Sequence, residues 1–324
     1  MTERSGTWLD YRTARATPES TVVGDLRVLP DVGSDELGVA RDLLVHVPAG
    51  ALTSGRRYPV LYLHDGQNLF DAATSFVGEW QVDETLASLA AEGLELIVVG
   101  IPHGGDERRY VEYTPYRGRG VAFPIGGLGG AYLRWLVGTV KPLVDADFPT
   151  RPERAATGIM GSSLGGLISL WAAIEHPATF GLVGAMSTAY PGGQSTILRR
   201  LRRLRYVPDR VYLDAGGHEG SFAPDPRTAR RWSEGFLADA RRTRDVLLDL
   251  GLRGPDRLRY VEDPEAIHQE SAWAARLPDA LRFLFGPPGA SSGDRVPPCI
   301  DRSSPTRSTT TSGPPSRSST PASC

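Results

Sequence analysis

Short continuous apolar runs alternate with stretches whose apolar residues recur at helical spacing, and this alternation restricts the chain to one architectural class. The runs are YPVLYLHDG (58–66), LELIVVGI (94–101) and AATGIMG (155–161), with FGLVGAMS (180–187), RVYLDAGG (210–217) and LRYVED (258–263) as further strands. A run that is apolar at successive positions fits a strand covered on both faces. Between and after the runs, helical spacing predicts helices over 79–92, 129–144 with Pro142 near the end, 164–177 stopped at Pro177, 232–251 and 273–285. Strands alternating with helices of this length predict an α/β fold: a mostly parallel central sheet with helices on both faces and right-handed crossovers. Residues 23–28 and 42–47 read as an N-terminal antiparallel pair in front of it. Ligands of such sheets bind outside the carboxyl ends of the strands, so chemistry is expected at strand-to-helix turns.

Composition sets the outer limits. We read residues 1–20 as an N-terminal extension, 21–286 as the folded domain, and the Ser/Thr/Pro-rich 287–324 as a disordered tail. With 36 basic against 38 acidic residues and a net charge of −2, nothing favours nucleic acid or an anionic membrane as partner. The two cysteines, Cys299 and Cys324, both fall in the tail. The folded part therefore has no disulfide framework, no thiol nucleophile and no cysteine metal site. No stretch approaches the roughly 18 apolar residues of a membrane helix, and residues 1–10 are polar with no signal core. The expected location is the cytoplasm.

One turn carries a motif. Gly161-Ser162-Ser163-Leu164-Gly165 has the form G-x-S-x-G and lies between an expected strand and an expected helix, the context that this motif requires. The physics is steric. A nucleophile on so tight a turn needs small residues two before and two after it, and Gly161 and Gly165 supply them. Ser163 then projects its hydroxyl above the sheet, at the positive end of the following helix. Ser162 is out of register for that role.

A serine hydroxyl needs a base, and the base needs an acid to orient it. In the hydrolases that use this turn, the acid and then the histidine follow the serine along the chain. After Ser163 stand His176, His218 and His268. His176 lies at the far end of the intervening helix, about 20 Å away at 1.5 Å rise per residue. His218 sits where the acid belongs, whereas His268 follows a strand and precedes the last helix, so His268 is favoured. For the acid, Glu219 in the GGHEGS loop is favoured over Asp214 within the strand, and Asp263 is a weaker candidate. An oxyanion hole needs two backbone amides: that of Leu164, and one from the loop after the early strand, where Gly66 admits the chain and Gln67 is the natural donor. His64 and Asp65 could be read as a reacting pair, but their position before the serine favours a loop-shaping role.

The blocks YLHDGQNLFD (62–71), RRYVEYTP (108–115), GSSLGGLISLWAAIEHPATFG (161–181), YLDAGGHEG (212–220) and HQESAWAARLPDALRFLF (268–285) occur in order. On them the chain resembles the "Putative esterase" family of the α/β-hydrolase fold, over about residues 40–286. That family is similar to enterochelin, feruloyl and acetyl esterases, esterase D and mycolyltransferases. The resemblance implies Ser163 as nucleophile, His268 as base, Glu219 as acid and Gln67 as oxyanion donor, with no cofactor and no metal. The implied reaction is cleavage of a small-molecule carboxylic ester through an acyl-enzyme, on a siderophore lactone, a short acyl ester or an acylated sugar. Acyl transfer by the same residues, and a non-catalytic binding protein of the same fold, are the alternatives. Trp80, Arg109 and Glu112 are candidates to line the substrate site. The stretch 188–207 is expected to border it. Arg199, Arg200, Arg202, Arg203 and Arg205 make that stretch basic, which reads as a solvated helix face rather than as a site for an anionic substrate.

Overall fold

Strands form where the apolar runs stand, and their two faces fill two separate cores. Leu61, Leu63, Val98, Met160 and Tyr212 pack into one. Their neighbours Val60, Tyr62, Ile97, Val99, Ile159, Val211 and Leu213 pack into the other. Successive residues of a strand point to opposite faces, so a strand buried on both sides must be apolar throughout. The computed structural model describes residues 6–15, 17–119, 124–191 and 194–287. All lie in the compact unit Met1–Ser291; the second unit, Ser292–Cys324, and with it nearly all of the tail, lies outside the described residues.

The elements, in chain order, are β1 (Leu9–Asp10), α1 (Tyr11–Ala14), β2 (Asp25–Ser34), β3 (Val39–Val47), β4 (Val60–His64), α2 (Val82–Ala91), β5 (Ile97–Ile101), α3 (Asp106–Tyr113), β6 (Gly118–Arg119), β7 (Pro124–Ile125), α4 (Gly129–Trp135), α5 (Lys141–Asp147), β8 (Thr157–Ser162), α6 (Leu164–Glu175), β9 (Leu182–Met186), α7 (Ser195–Leu201), β10 (Arg210–His218), α8 (Pro226–Asp249), β11 (Leu258–Ile267) and α9 (Glu270–Phe285). Nine strands form one sheet in the order β1-β2-β3-β5-β4-β8-β9-β10-β11, and β6 pairs only with β7. From β1 to β5 the pairing is antiparallel. From β5 to β11 it is parallel. This is the mostly parallel sheet with an N-terminal antiparallel flank that the sequence predicts. Residues of the N-terminal extension are built into it: β1 caps the sheet edge, and Tyr11, 3% exposed, donates its hydroxyl to Asp71 at 3.0 Å.

Several bounds differ from the sequence reading, each for a local reason. The helix expected over 129–144 continues to Asp147, because a π turn at Leu136–Val140 absorbs the approach to Pro142, which then sits in the first turn of α5. Helix α8 starts at Pro226, not at 232. Asp225 caps it by accepting from the Arg227 and Thr228 amides at 3.0 Å each, and proline needs no N–H in a first helical turn. Helix α3 has no counterpart in the sequence analysis, and α7 has only the solvated helix face noted for the arginines of 188–207. The α3 segment, DERRYVEY, carries too few apolar residues to show a stripe, and α7 is only seven residues long, with Ile197, Leu198 and Leu201 buried. Strands β10 and β11 run on to His218 and Ile267, beyond 217 and 263, and these extensions set up the site.

Helix α3 is tied to the sheet by charge. Arg41 on β3 donates Nη2 to Oε1 of Glu112 on α3 at 3.1 Å, with side chains 4% and 0% exposed. The Arg41 guanidinium also lies 5.0 Å from the Trp135 ring centroid. Removing one partner of a buried pair leaves the other charge without compensation. Glu112→Ala is therefore expected to cost about 3–5 kcal/mol in chemical denaturation, and the double change of Arg41 to Met and Glu112 to Leu distinctly less.

Candidate active site

The turn after β8 is as tight as its glycines predict. Ser163 has φ 55 and ψ −120, a backbone conformation that non-glycine residues rarely adopt. It is held there from both sides: its amide donates to Met186 O at 2.9 Å, and its carbonyl accepts from Ala189 N at 3.1 Å. A Cβ on Gly161 would lie 2.9 Å from the Gly165 backbone, so the strand and α6 approach as closely as the motif demands. Ser163 lines a cavity of about 810 Å³ that also takes in Gln67, Trp80, Arg109 and His268.

The imidazole and its acid come from the extended ends of β10 and β11. The strands pair in parallel up to Gly216 with Asp263, the register shifts, and His218 pairs with Ile267. The next residues, Glu219 and His268, leave side by side. His268 Nδ1 lies 2.6 Å from Glu219 Oε2. Glu219 is fully buried, and its Oε1 accepts from the Gly216 amide. Burial pushes its carboxyl up, but the bond to His268, the charge on that ring and the Ser187 hydroxyl outweigh burial and leave it below the usual glutamate range. Aromatic rings enclose the imidazole: Phe236 at 5.0 Å, Trp273 at 5.1 Å and Phe222 at 5.4 Å between centroids.

The other acids are engaged elsewhere. Asp214, inside β10 and fully buried, takes Nε of Arg276 at 2.8 Å and the Ser187 amide at 2.9 Å. Burial raises its pKa despite that arginine. Asp263 faces Arg276 at 3.8 Å. Among the other histidines, His218 is exposed on the far side of Glu219 and lines a different cavity. His176 ends α6. His64 is buried against the Tyr132 hydroxyl at 2.9 Å, and burial pushes it down to about 3.

The loop after β4 brings two more groups. Asp65 adopts φ 57, and a Cβ on Gly66 would meet the backbone of residues 100–102 at 2.6–2.7 Å, so only glycine fits there. The amides of Gln67 and Leu164 each fall in a first helical turn, where an N–H has no partner within its helix. Arg109 on α3 grips Asp65 with Nε at 2.8 Å and Nη2 at 2.7 Å. Burial pushes Asp65 up, yet the guanidinium holds it below the usual aspartate range. Trp80 packs 5.6 Å from Trp273 and forms a cavity wall.

Glu112 is not brought to the cavity: it is spent on Arg41 beneath α3. Nor do the described residues of 188–207 line it. The five arginines there are exposed on and just after α7, away from the lining. The sequence reading missed Asn68, His103, Phe222, Glu270 and Trp273, all of which line the cavity. It also missed Arg276, whose signal is a lone base on the apolar face of α9 between Trp273, Leu277 and Ala280. Among the described residues, one group could hold a metal ion, Glu79, Asp83 and Glu84, with ligand oxygens within 4.8 Å of one another. None of the three lines the Ser163 cavity. Burial, with Glu84 adding to it, pushes Asp83 up to about 8.

Comparison with known proteins places the chain in a family and a fold. The family model described as "Putative esterase" matches residues 7–284. The Bacillus subtilis (strain 168) protein named "Uncharacterized protein YbbA" is 25% identical over 250 residues, 76% of this chain and 93% of its own. An IroE-like serine hydrolase from Shewanella oneidensis superposes with a TM-score of 0.61 at 20% identity, covering 80% of each chain. The siderophore hydrolase EstA from Aspergillus nidulans gives 0.60 at 19%, covering 80% of this chain and 93% of that one. The α/β-hydrolase architecture is thus shared well beyond recognisable sequence identity, and with a family match that spans the whole described fold the chain belongs to the "Putative esterase" family, as a carboxylic ester hydrolase.

Proposed function

We propose that this protein is a serine esterase that cleaves a small-molecule ester through an acyl-enzyme. The observation that carries the reading is a histidine bound by a buried carboxylate at 2.6 Å and facing the same cavity as a serine held at φ 55. Because Nδ1 of His268 is engaged by an ionised Glu219, that nitrogen carries the proton and Nε2 keeps its lone pair. Nε2 takes the proton of the Ser163 hydroxyl as Oγ adds to the ester carbonyl. The imidazolium formed is stabilised by Glu219. The oxyanion is received by the amides of Leu164 and Gln67, each donor of this kind contributing about 3 kcal/mol. His268 then protonates the departing alcohol. Water, deprotonated by the same nitrogen, releases the acid and restores Ser163.

Glu219 and Asp214 are the two candidates for the acid, and their substitutions separate them. Glu219→Gln is expected to lower kcat by about 10²–10⁴-fold while the protein stays folded. Asp214→Asn, which strips the charge from the partner of a buried arginine, is expected to lower stability by about 3 kcal/mol. Equal losses of kcat from both changes would remove Glu219 from its assigned role. Ser163→Ala should abolish labelling by a fluorophosphonate probe, and persistent labelling would show that another group is the nucleophile.

The Glu219 contact also sets an acid limit. Its folded carboxyl lies below its unfolded value, so its contribution to stability is present above the ordinary glutamate pKa of about 4.3 and is lost as pH falls through the lower folded value. The stability difference between wild type and Glu219→Gln, followed by urea denaturation, should therefore be constant from neutral pH to about 5 and shrink below about 4.

A further inference from the structure

The cavity beside Ser163 sets three carboxylates, Asp65, Asp106 and Glu270, against one arginine, Arg109, and two histidines, His103 and His268. Arg109 directs two nitrogens at Asp65, which leaves that pair neutral overall. Asp106 is exposed at the rim. Glu270 differs from it in being built into the site. It is 8% exposed, stands two residues after His268, and accepts from Asn68 Nδ2 at 3.2 Å. Asn68 is itself fixed, its Oδ1 accepting from the Phe76 amide at 3.1 Å and its carbonyl from the Trp80 amide at 2.8 Å. Among the described residues, no arginine, lysine or histidine forms an ion pair with Glu270. Burial, with the charge of Asp65 adding to it, raises the proton affinity of Glu270 against the opposing influence of a backbone amide, Arg109 and His268.

Ring faces share the cavity with this carboxylate. Trp273 follows one turn along α9 and packs on Trp80, while Phe76 and Phe222 stand at the mouth, 81% and 59% exposed. A fixed carboxylate among aromatic faces is the chemistry that receives an ammonium group: the carboxylate pairs with its charge and the rings with its apolar, positively polarised surface. An anionic ester would meet uncompensated negative charge in the same place.

We propose that Glu270 sets the specificity of this site, selecting esters that carry an ammonium or protonated amine near the scissile bond. The inference rests on Ser163 as the nucleophile, so that is checked first by hydrolysis of p-nitrophenyl butyrate and by fluorophosphonate labelling of the full chain. Charged and neutral esters are then compared in matched pairs. Butyrylcholine against 3,3-dimethylbutyl butyrate places the charge on the alcohol. The p-nitrophenyl esters of 6-aminohexanoate and hexanoate place it on the acyl group. In wild type, kcat/KM should favour the cation in at least one pair by about tenfold, as one charge-assisted contact provides. Glu270→Gln, which keeps the size and can still accept from Asn68, should bring that ratio close to one, and Glu270→Asp should restore part of it. The wild-type ratio should also fall on acidification as Glu270 takes up a proton, whereas in Glu270→Gln it should not change with pH; a purely structural role would produce neither effect. A ratio at or below one in both pairs, or a ratio that Glu270→Gln leaves in place, overturns the inference while the serine esterase stands. Absence of labelling and of turnover on every ester overturns both.

Discussion

The parallel pairing of β10 with β11 is the constraint on which the site depends. Two groups nearly fifty positions apart meet because their strands run together to the same edge and then end. The approach is so close that a Cβ on Gly216 would lie 2.4 Å from Ala266 O, and one on Gly217 would lie 2.1 Å from Pro264 O. The glycine pair in YLDAGGHEG is thus a condition of the strand register and, through it, of the contact between Glu219 and His268. A larger residue at either position would push β11 away and carry the imidazole with it.

Beneath that contact lies a second set of charges. Arg276 is paired with Asp214 and donates to the Ser187 hydroxyl at 3.0 Å, and that hydroxyl in turn lowers the pKa of Glu219. Burying two carboxylates and a histidine together is costly unless a cation stands among them. Arg276 supplies it from α9, the helix that begins two residues after His268. The two candidate acids therefore hold opposite positions. Asp214 neutralises a cation inside the sheet, and Glu219, just past the strand end, faces the ring.

The sequence exposes what is local and periodic. Apolar runs reveal the central strands because both of their faces are buried, whereas the edge strand β11 is only partly covered, and G-x-S-x-G reveals the turn because its steric demand falls on three nearby residues. Position in the loop and the family resemblance both favour Glu219 over Asp214, and in the structure it is Glu219 that lies 2.6 Å from His268 Nδ1. What stayed hidden depends on contacts between distant segments. Helix α3 is held by Arg41, over sixty residues away, so its own residues show little apolar pattern. By the same logic Glu112, which reads as a lining residue from its block, turns inward to that arginine. The arginines of 188–207 read correctly as solvated, but nothing in their order shows that α7 faces away from the cavity. Glu270 and Asn68 become neighbours only when the loop after β4 meets the start of α9.

The site divides its labour between rigid and variable parts. Ser163, Glu219 and His268 all stand at the ends of hydrogen-bonded parallel strands, and Gln67 follows a fourth by three residues. Their spacing is fixed by the sheet and by the two cores on its faces. The cavity wall is made instead by the segment from Thr74 to Trp80, the start of α3, the turn at Phe222 and the first turn of α9. These pieces are joined by side-chain bonds such as Asn68 with Glu270 and Arg109 with Asp65, not by a strand ladder. A change of charge or bulk there alters what enters without moving the groups that react. The sheet thus holds Ser163, Glu219 and His268 at fixed spacing, while the wall is made of segments whose side chains the strand ladder does not position.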